Sequence, residues 1–401
     1  MPGGIFQLKA NGIQDSFFVS ESGKNFIKQT HVKHTNFSKE LIELRPKEHV
    51  DFGKNFSIEF PRFGDYINNV YLDFKLPALT HTSGTFAGWT NSIGHVLIKK
   101  VEIEIGGYTL DTNYGIFLEI WEELTNKQRF NDNKLIGKFG HVTLLKFNAL
   151  QESEYSVPLK FWFSNSIQDA LPVFALKYNT IKLNFSLESF ENCVVFDGVT
   201  PPEPVSITSA VVSTEYLFID ENTREILANT ELSFVITQIQ SVINENIRNP
   251  WGYTMNLPFN HPCSELIFVL REEDSEENND WFNFAIRNPD VNAVLSSPIT
   301  SAKLILDGTD RFGEISSKTL NQKNIRRYHT NDTDKFIYCI PFGEYPESNM
   351  PNGSMNFSLI NNTLLYLTLN ENCRPSNAFV FAKNFNILNI RDGQAYIAFS
   401  S

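Results

Sequence analysis

The chain is 401 residues long, 41% hydrophobic and 13% aromatic, with 35 phenylalanines. Such a length and apolar content suit two domains with sizeable β-rich cores. A formal net charge of −12 argues against a basic nucleic-acid groove and against an anionic membrane surface as partner.

Taken in chain order, residues 1–25 are Gly- and Ser-rich with scattered apolar side chains, Ile5, Leu8, Ile13, Phe17 and Phe18. That composition suits an arm that docks on another surface. This start lacks the apolar core of a signal peptide, and Pro2 stands where myristoylation requires Gly. No apolar run approaches the roughly 18 residues of a spanning helix, so a product made and used in soluble form in the cytosol is expected. Short β-prone runs fill Phe26 to Phe60, Pro61-Arg62-Phe63-Gly64 predicts a turn, and Tyr66 to Leu76 a strand. A polar loop holding Trp89 follows at 79–92.

The most informative stretch is 91–125. Val101, Ile103 and Ile105 alternate with Glu102 and Glu104, giving a strand with one apolar and one charged face. Gly106-Gly107 supports a tight turn, and Asp111 or Thr112 is placed to cap a helix. Tyr114, Phe117, Leu118, Trp121 and Leu124 then recur at spacings of three and four, one stripe of an amphipathic helix about three turns long. Neither element buries its apolar side alone, so both must pack on other sheet.

Beyond it, 157–163 and 181–188 predict strands, joined by a long connection at 164–178. Pro201, Pro202 and Pro204 keep 193–206 out of any sheet interior. Residues 207–219 predict a strand and 221–229 a short linker helix. The second half reads as strands at 232–239, 266–270, 304–306, 336–341 and within 355–399. Long connections at 271–298 and 342–354 interrupt them, the first opening on the acidic tract Glu272 to Asp280.

The second half echoes the first. Leu304 and Leu306 lead into Asp307-Gly308 as Ile103 and Ile105 lead into Gly106-Gly107. In the same order, 70–77 answers 265–271, 157–163 answers 335–341, 181–187 answers 364–369, and 210–219 answers 378–387. Two domains of one fold explain this better than a short-period solenoid. Seven or eight strands per half, few helices and long non-hairpin connections favour a jelly roll over an up-and-down barrel.

Chemistry is sparse. Cys193, Cys263, Cys339 and Cys373 are widely spaced without a CxxC pair, which predicts neither a zinc framework nor a disulfide scaffold and points to a reducing compartment. His31 and His34 are close, but on a strand they face opposite ways. Asp307 and Asp310 lack the alternating ligands of a calcium loop. No nucleophile elbow, P-loop or dinucleotide fingerprint occurs. The expectation is no catalytic, cofactor-binding or metal-ligating residue, no cofactor, and no enzyme activity. Trp89 and Trp281, if exposed in their loops, would allow a rival reading as a carbohydrate-binding or -processing β-sandwich.

Ordered motifs along nearly the whole chain resemble the major capsid proteins of nucleocytoplasmic large DNA viruses, nearest the phycodnavirus and mimivirus kinds. They are Gly3-Gly4 through Gln14-Asp15, Thr35-Asn36-Phe37 with Glu40, Pro61-Arg62-Phe63-Gly64-Asp65, the run from Ile93 to Thr125, His261-Pro262 with Glu265, Leu306 to Phe312, Pro351 to Ser358 and Ala382 to Leu388. One departure is that His329 stands alone where the family often has tandem histidines. The resemblance implies an all-β double jelly roll, two consecutive eight-stranded β-sandwich domains with short helices in the connections. Its parts would be an arm at 1–25, a first domain at 26–220, a linker helix at 221–230 and a second domain at 231–401. It also implies homotrimeric, pseudo-hexagonal capsomers tiling an icosahedral virion shell, or a minor capsid paralogue of the same fold. The arm would meet minor capsid proteins on the inner face, without direct nucleic-acid contact or membrane insertion. The connections at 79–92, 164–178, 271–298 and 342–354 are expected to cluster at one outward-facing end, with the acidic tract solvated.

Overall fold

The computed structural model describes residues 35–399 apart from 81–83, 85, 127–132, 140–141, 229, 249–250 and 287–295. The expected arm at 1–25, and His31 and His34, lie outside the described residues.

Eight strands build the two main sheets of the first half: β1 Phe37–Leu44, β2 Asn55–Glu59, β3 Tyr66–Leu76, β4 Ile98–Ile105, β5 Tyr108–Tyr114, β6 Ser153–Pro158, β7 Ile181–Leu187 and β8 Ser209–Ile219, with short strands Ala87–Trp89, Leu171–Pro172 and Val194–Phe196 beside them. Eight more build the main sheets of the second: β9 Leu232–Ile247, β10 Gly252–Asn256, β11 Pro262–Glu272, β12 Ile299–Leu306, β13 Thr309–Asp310, β14 Tyr338–Pro341, β15 Thr363–Leu369 and β16 Ser376–Arg391, with short strands Ile315–Ser316 on β12 and Met355–Asn356 on β11. A last strand, β17 Gln394–Ile397, folds back on β16.

The sheets of the first half run β1-β8-β3-β6 and β2-β7-β4-β5, all antiparallel. Those of the second run β9-β16-β11-β14 and β10-β15-β12-β13, the same orders with each strand eight places on. Each half is a jelly roll, and the sequence echoes fall on topologically equivalent strands. The period-two pattern drives this locally. In β7 Ile181, Leu183, Phe185 and Leu187 are buried, with the residues between them half-buried. Across the ladder, Phe185 stacks on Phe56 with ring centroids 4.6 Å apart.

Three differences from the sequence reading have physical causes. Gly106 and Gly107 have φ of 61° and 90°, the double left-handed geometry of a tight hairpin turn. The chain therefore returns as strand β5, and the helix begins only at Gly115; Asp111 and Thr112 lie in β5 and cap nothing. The strand expected at 157–163 is β6, which stops at Pro158 and gives way to a turn of 3-10 helix at Trp162–Ser164. Between the helix that begins at Gly115 and β6, where the sequence reading assigns no element, the chain forms a helix at Val142–Ala149.

A fourth difference concerns the connections. Antiparallel strands reverse at every step, so the connection after β3 and the one after β6 leave from opposite ends of a sandwich. At one end, Leu79 N–H donates to Ala149 O (2.8 Å), Thr208 N–H to Lys75 O (3.0 Å) and Trp281 Nε1 to Asn192 O (2.7 Å). At the other, Asn165 Nδ2 donates to Asn349 Oδ1 (3.0 Å) and Asn349 Nδ2 to Trp162 O (2.9 Å). Thus the described residues of 79–92 and 271–298 share one end, while 164–178 and 342–354 share the opposite one.

The acidic tract is not a free loop either. It forms a single helical turn, Glu273–Glu277, in which Glu276 pairs with Arg271 at 2.6 Å, Asp274 with Arg374, and Glu273 with Arg248 at 3.4 Å. Glu272 is buried, accepting from Arg374 N–H at 3.3 Å.

Each sandwich has its own core, one around Phe74, Phe161, Phe163 and Phe185, the other around Phe268, Leu304, Tyr338 and Leu365. A third core lies between them.

Candidate functional site

The third core is built by the stretch singled out from sequence. A short helix α1, Ile93–Leu97, precedes β4, and α2, Gly115–Thr125, follows β5. At the head of α2 a Cβ on Gly115 would stand 2.0 Å from His95 O and 2.4 Å from Ile98 O, so only Gly lets the two helices meet. Ten residues of α2, Gly115 to Leu124, are buried. The stripe predicted for one face is therefore half of the arrangement. Leu118 packs into the first core. Ile116, Phe117, Ile120, Trp121 and Leu124 pack on Ile267, Val269, Cys339, Phe379 and Phe381, the outer face of the β11–β14–β16 sheet.

Burying α2 whole also buries its carboxylates, which demand partners. Glu119, with no exposure, meets Lys335 Nζ at 2.7 Å, Lys138 Nζ at 2.8 Å and His95 Nδ1 at 2.7 Å. Glu123 meets the same two lysines at 3.2 and 2.6 Å, and Glu122 meets Lys160 at 3.1 Å. Burial alone would push the Glu119 carboxyl up, but the Lys335 and Lys138 ammoniums and His95 hold it well below the usual carboxylate range. Lys335 comes from the second half and Glu119 from the first, so the network ties the halves together.

Asp111 on β5 makes another tie. Its Oδ1 accepts from Ile239 N–H on β9 and from Thr112 N–H, both at 2.9 Å. Burial pushes its carboxyl up to about 7 despite these donors. Beside it Gln238 donates to Leu110 O.

A second polar cluster lies on the sheet face under Trp121. Glu265 on β11, Cys339 on β14 and His329, just after the helix Asn324–Tyr328 (α6, counting Val142–Ala149, Glu221–Ala228 and Glu273–Glu277 as α3 to α5), converge there with all three side chains buried. His329 Nε2 lies 3.1 Å from Glu265 Oε2, and its Nδ1 3.4 Å from Glu347 Oε1. Lys383 on β16, held 4.8 Å over the Trp121 ring, donates to the carbonyls of Pro346, Glu347 and Ser348. Desolvation lowers its ammonium to about 8, with Glu265 and Glu347 opposing the shift.

Both tryptophans of the carbohydrate reading are occupied. Trp89 is 1% exposed and stacks on Phe52. Trp281 is half-buried, bonded to Asn192 O and lying 5.0 Å from the Arg271 guanidinium. Trp89 therefore offers no sugar-stacking face, and Trp281 is already engaged by Arg271 and Asn192. Asp307 and Gly308, with φ of 47° and 79°, form the turn of the second hairpin, and Asp307 Oδ1 accepts from Asn361 and Asn362 N–H. A cavity of about 590 Å³ opens between the halves beside Leu110, Gln238, His261, Asn384 and Tyr396. Its lining mixes amides, aromatic rings and aliphatic side chains with His261 and Asp111.

Sequence reasoning missed Glu119, Lys138, Lys335, Glu265, His329 and Cys339 as partners, because they come from segments far apart in the chain. One signal was available: Lys383 interrupts the buried run Phe379 to Phe385, and an isolated charge in an apolar strand requires a built environment.

Comparison with known proteins places this geometry in context. The family described as "Major capsid protein N-terminus" matches residues 25–220, and that described as "Large eukaryotic DNA virus major capsid protein" matches 223–395. The chain is 29% identical over 428 positions to the major capsid protein of Pyramimonas orientalis virus, covering 100% of both. It is 26% identical over 521 positions to that of Phaeocystis pouchetii virus, again covering 100% of both. Among solved structures, the PBCV-1 virus capsid superposes with a TM-score of 0.81 at 24% identity, over 94% of this chain and 100% of the other, a likeness of fold.

Proposed function

The chain belongs to the major capsid proteins of large eukaryotic DNA viruses, and from that membership we propose that three copies associate into a pseudo-hexagonal capsomer tiling an icosahedral shell. The observation that carries this is the strand-for-strand repetition of the two jelly rolls, fused by α2 with equivalent ends together. Each copy supplies two near-equivalent modules, so a closed ring of three presents six, the outline that hexagonal packing needs. The role is structural rather than catalytic: the buried polar groups of the seam hold one half to the other.

Minor capsid proteins are the proposed partners of the arm at 1–25 on the inner face, and synthesis in the host cytoplasm precedes incorporation into the virion. Tyr108, Tyr396 and Phe399, at least half exposed around the cavity between the halves, offer apolar contact surface at the hairpin end.

Mass measurement of the folded chain at micromolar concentration tests the association. The expected species has three times the 45.9 kDa chain mass. Folded monomers alone would sink the proposal. Deleting residues 1–25 should spare the trimer and impair shell assembly, whereas loss of the trimer would place the arm in the capsomer core.

A further inference from the structure

We propose that Glu265, His329 and Cys339 form a divalent-metal site whose donor set fits zinc. β11 and β14 pair with Glu265 opposite Pro341 and Ile267 opposite Cys339. With a side-chain period of two, Glu265 and Cys339 therefore project from the same sheet face, one step apart on the diagonal. His329 closes α6, its N–H held by Ile325 O at 2.8 Å, and reaches the same point from above. One carboxylate oxygen, one imidazole nitrogen and the thiol sulfur lie within 4.8 Å of one another. Tetrahedral zinc bonds of about 2.0–2.3 Å place ligand atoms roughly 3.3–3.8 Å apart, so side-chain rotations of about an ångström close the set.

Two further observations point to a ligand rather than to an ordinary core. Glu265 has no exposure, yet neither of its carboxylate oxygens has a hydrogen bond, and neither ring nitrogen of His329 has one. The 3.1 Å approach of Nε2 to Oε2 is an ion-pair contact without hydrogen-bond angles. Lys383, the nearby cation, spends its ammonium on three backbone carbonyls instead. Both Glu265 oxygens and His329 Nε2 are thus buried without a hydrogen bond and held only by ion-pair contact, which is costly unless something binds there.

The outer shell is also built. Nδ1 of His329 faces Glu347 Oε1 at 3.4 Å, and Glu347 is itself fixed by Thr330 N–H and Oγ1, both at 2.6 Å. A carboxylate behind the non-ligating nitrogen fixes the tautomer that leaves Nε2 free for a metal. Thiolate and imidazole select zinc over magnesium or calcium; the fourth position falls to the second Glu265 oxygen or a water. Bound there, the ion pins β11, β14 and α6 together directly beneath Trp121 of α2.

The site is closed, so the test loads it during folding. The full chain is expressed in zinc-supplemented medium, dialysed against a weak chelator, and its zinc measured by elemental mass spectrometry and X-ray absorption. The expected result is about one zinc per chain, with one sulfur at about 2.3 Å and nitrogen or oxygen neighbours at about 2.0 Å. Cys339→Ser and Glu265→Gln should cut retained zinc at least about tenfold, and stripping the wild type with a strong chelator should lower its melting temperature. Should the variants fail to fold, the wild-type measurements decide. Folded wild type with less than about a tenth of an equivalent of zinc, or zinc without a sulfur neighbour, overturns the site. So does zinc retained unchanged by folded Cys339→Ser. Glu265 and His329 are then a plain buried ion pair. The readout is independent of capsomer formation, so its failure leaves the shell role untouched.

Discussion

Gly115 shows how narrowly one position constrains the seam. The atoms that a Cβ would meet, His95 O and Ile98 O, are backbone, so no side-chain rotation relieves the clash. Gly115→Ala must push α2 off α1, and a loss of about 3 kcal/mol or more is expected in denaturant unfolding. A loss below about 0.5 kcal/mol would show that the helices part freely. Asp111 gives a prediction in pH. Its folded-state carboxyl is raised to about 7 from an unfolded value of 3.8. Below 3.8 both states are protonated and the fold loses nothing. As pH rises towards 7 the unfolded chain ionises first, so stability drains away and the loss is complete above about 7. Asn at this position keeps Oδ1 as acceptor for both backbone donors. Asp111→Asn should therefore match the wild type near pH 4 and exceed it near pH 8, by at most about 4 kcal/mol. Melting curves across that range check it, and a pH-independent difference would refute the assignment. Glu119 works in the opposite sense: its depressed carboxyl supports the fold above the ordinary carboxylate range and withdraws that support as pH falls.

At the scale of elements, α2 is where sequence reading reached furthest and stopped. Spacings of three and four revealed the helix, and the sandwich echoes revealed two domains, because both rest on local periodicity. That α2 is buried on every side was not legible. Glu119, Glu122 and Glu123 lie off the apolar stripe that the spacing reveals, and only the fold brings Lys138, Lys160 and Lys335 to them. The hairpin at Gly106-Gly107 looks like a strand-to-helix turn in the sequence because β5 mixes Asp111, Thr112 and Asn113 among its apolar residues, which blurs the period of two. Asp111 and Asn113 are buried there because β9 and the connection after β6 supply bonding partners. The His329 cluster left no trace in spacing for the same reason: its members sit on three separate elements. Two consequences can be measured. Lys335→Met removes one of the cations from buried Glu119 and should cost about 3–5 kcal/mol, well above the usual effect of a surface lysine. The first half expressed alone, ending before β9, would expose Phe117, Ile120, Trp121 and Leu124 together. It is expected to aggregate and to be rescued by co-expression of the second half; a soluble, folded first half would show that the third core is dispensable.

For the whole molecule, strand reversal sorts the connections into two ends, and this decides how a shell can present them. One end carries the described residues of 79–92, 126–152, 188–208 and 273–298; the opposite end carries the two hairpin turns, 106–107 and 307–308, together with 164–178 and 342–354. The sorting holds across both halves, since Trp281 of the second reaches Asn192 of the first, and Asn349 reaches Trp162. A shell of such subunits has one end outward and one inward, so an outside reagent meets one set only. The end bearing 271–298 suits the outer surface. Its connections are the longer ones, and its exposed carboxylates Glu277 and Asp280 stay in water, where charge costs little. The hairpin end, with Tyr108, Tyr396 and Phe399 exposed around a cavity, suits contact with inner partners. Brief protease treatment of intact particles, read by peptide mapping, should therefore cut within 79–92 or 271–298 and spare 164–178 and 342–354 until the shell is opened. The dissociated trimer should be cut at both ends. Cleavage of intact particles confined to 164–178 or 342–354 would turn the subunit over, and equal cleavage of both sets would mean that neither end is shielded by assembly.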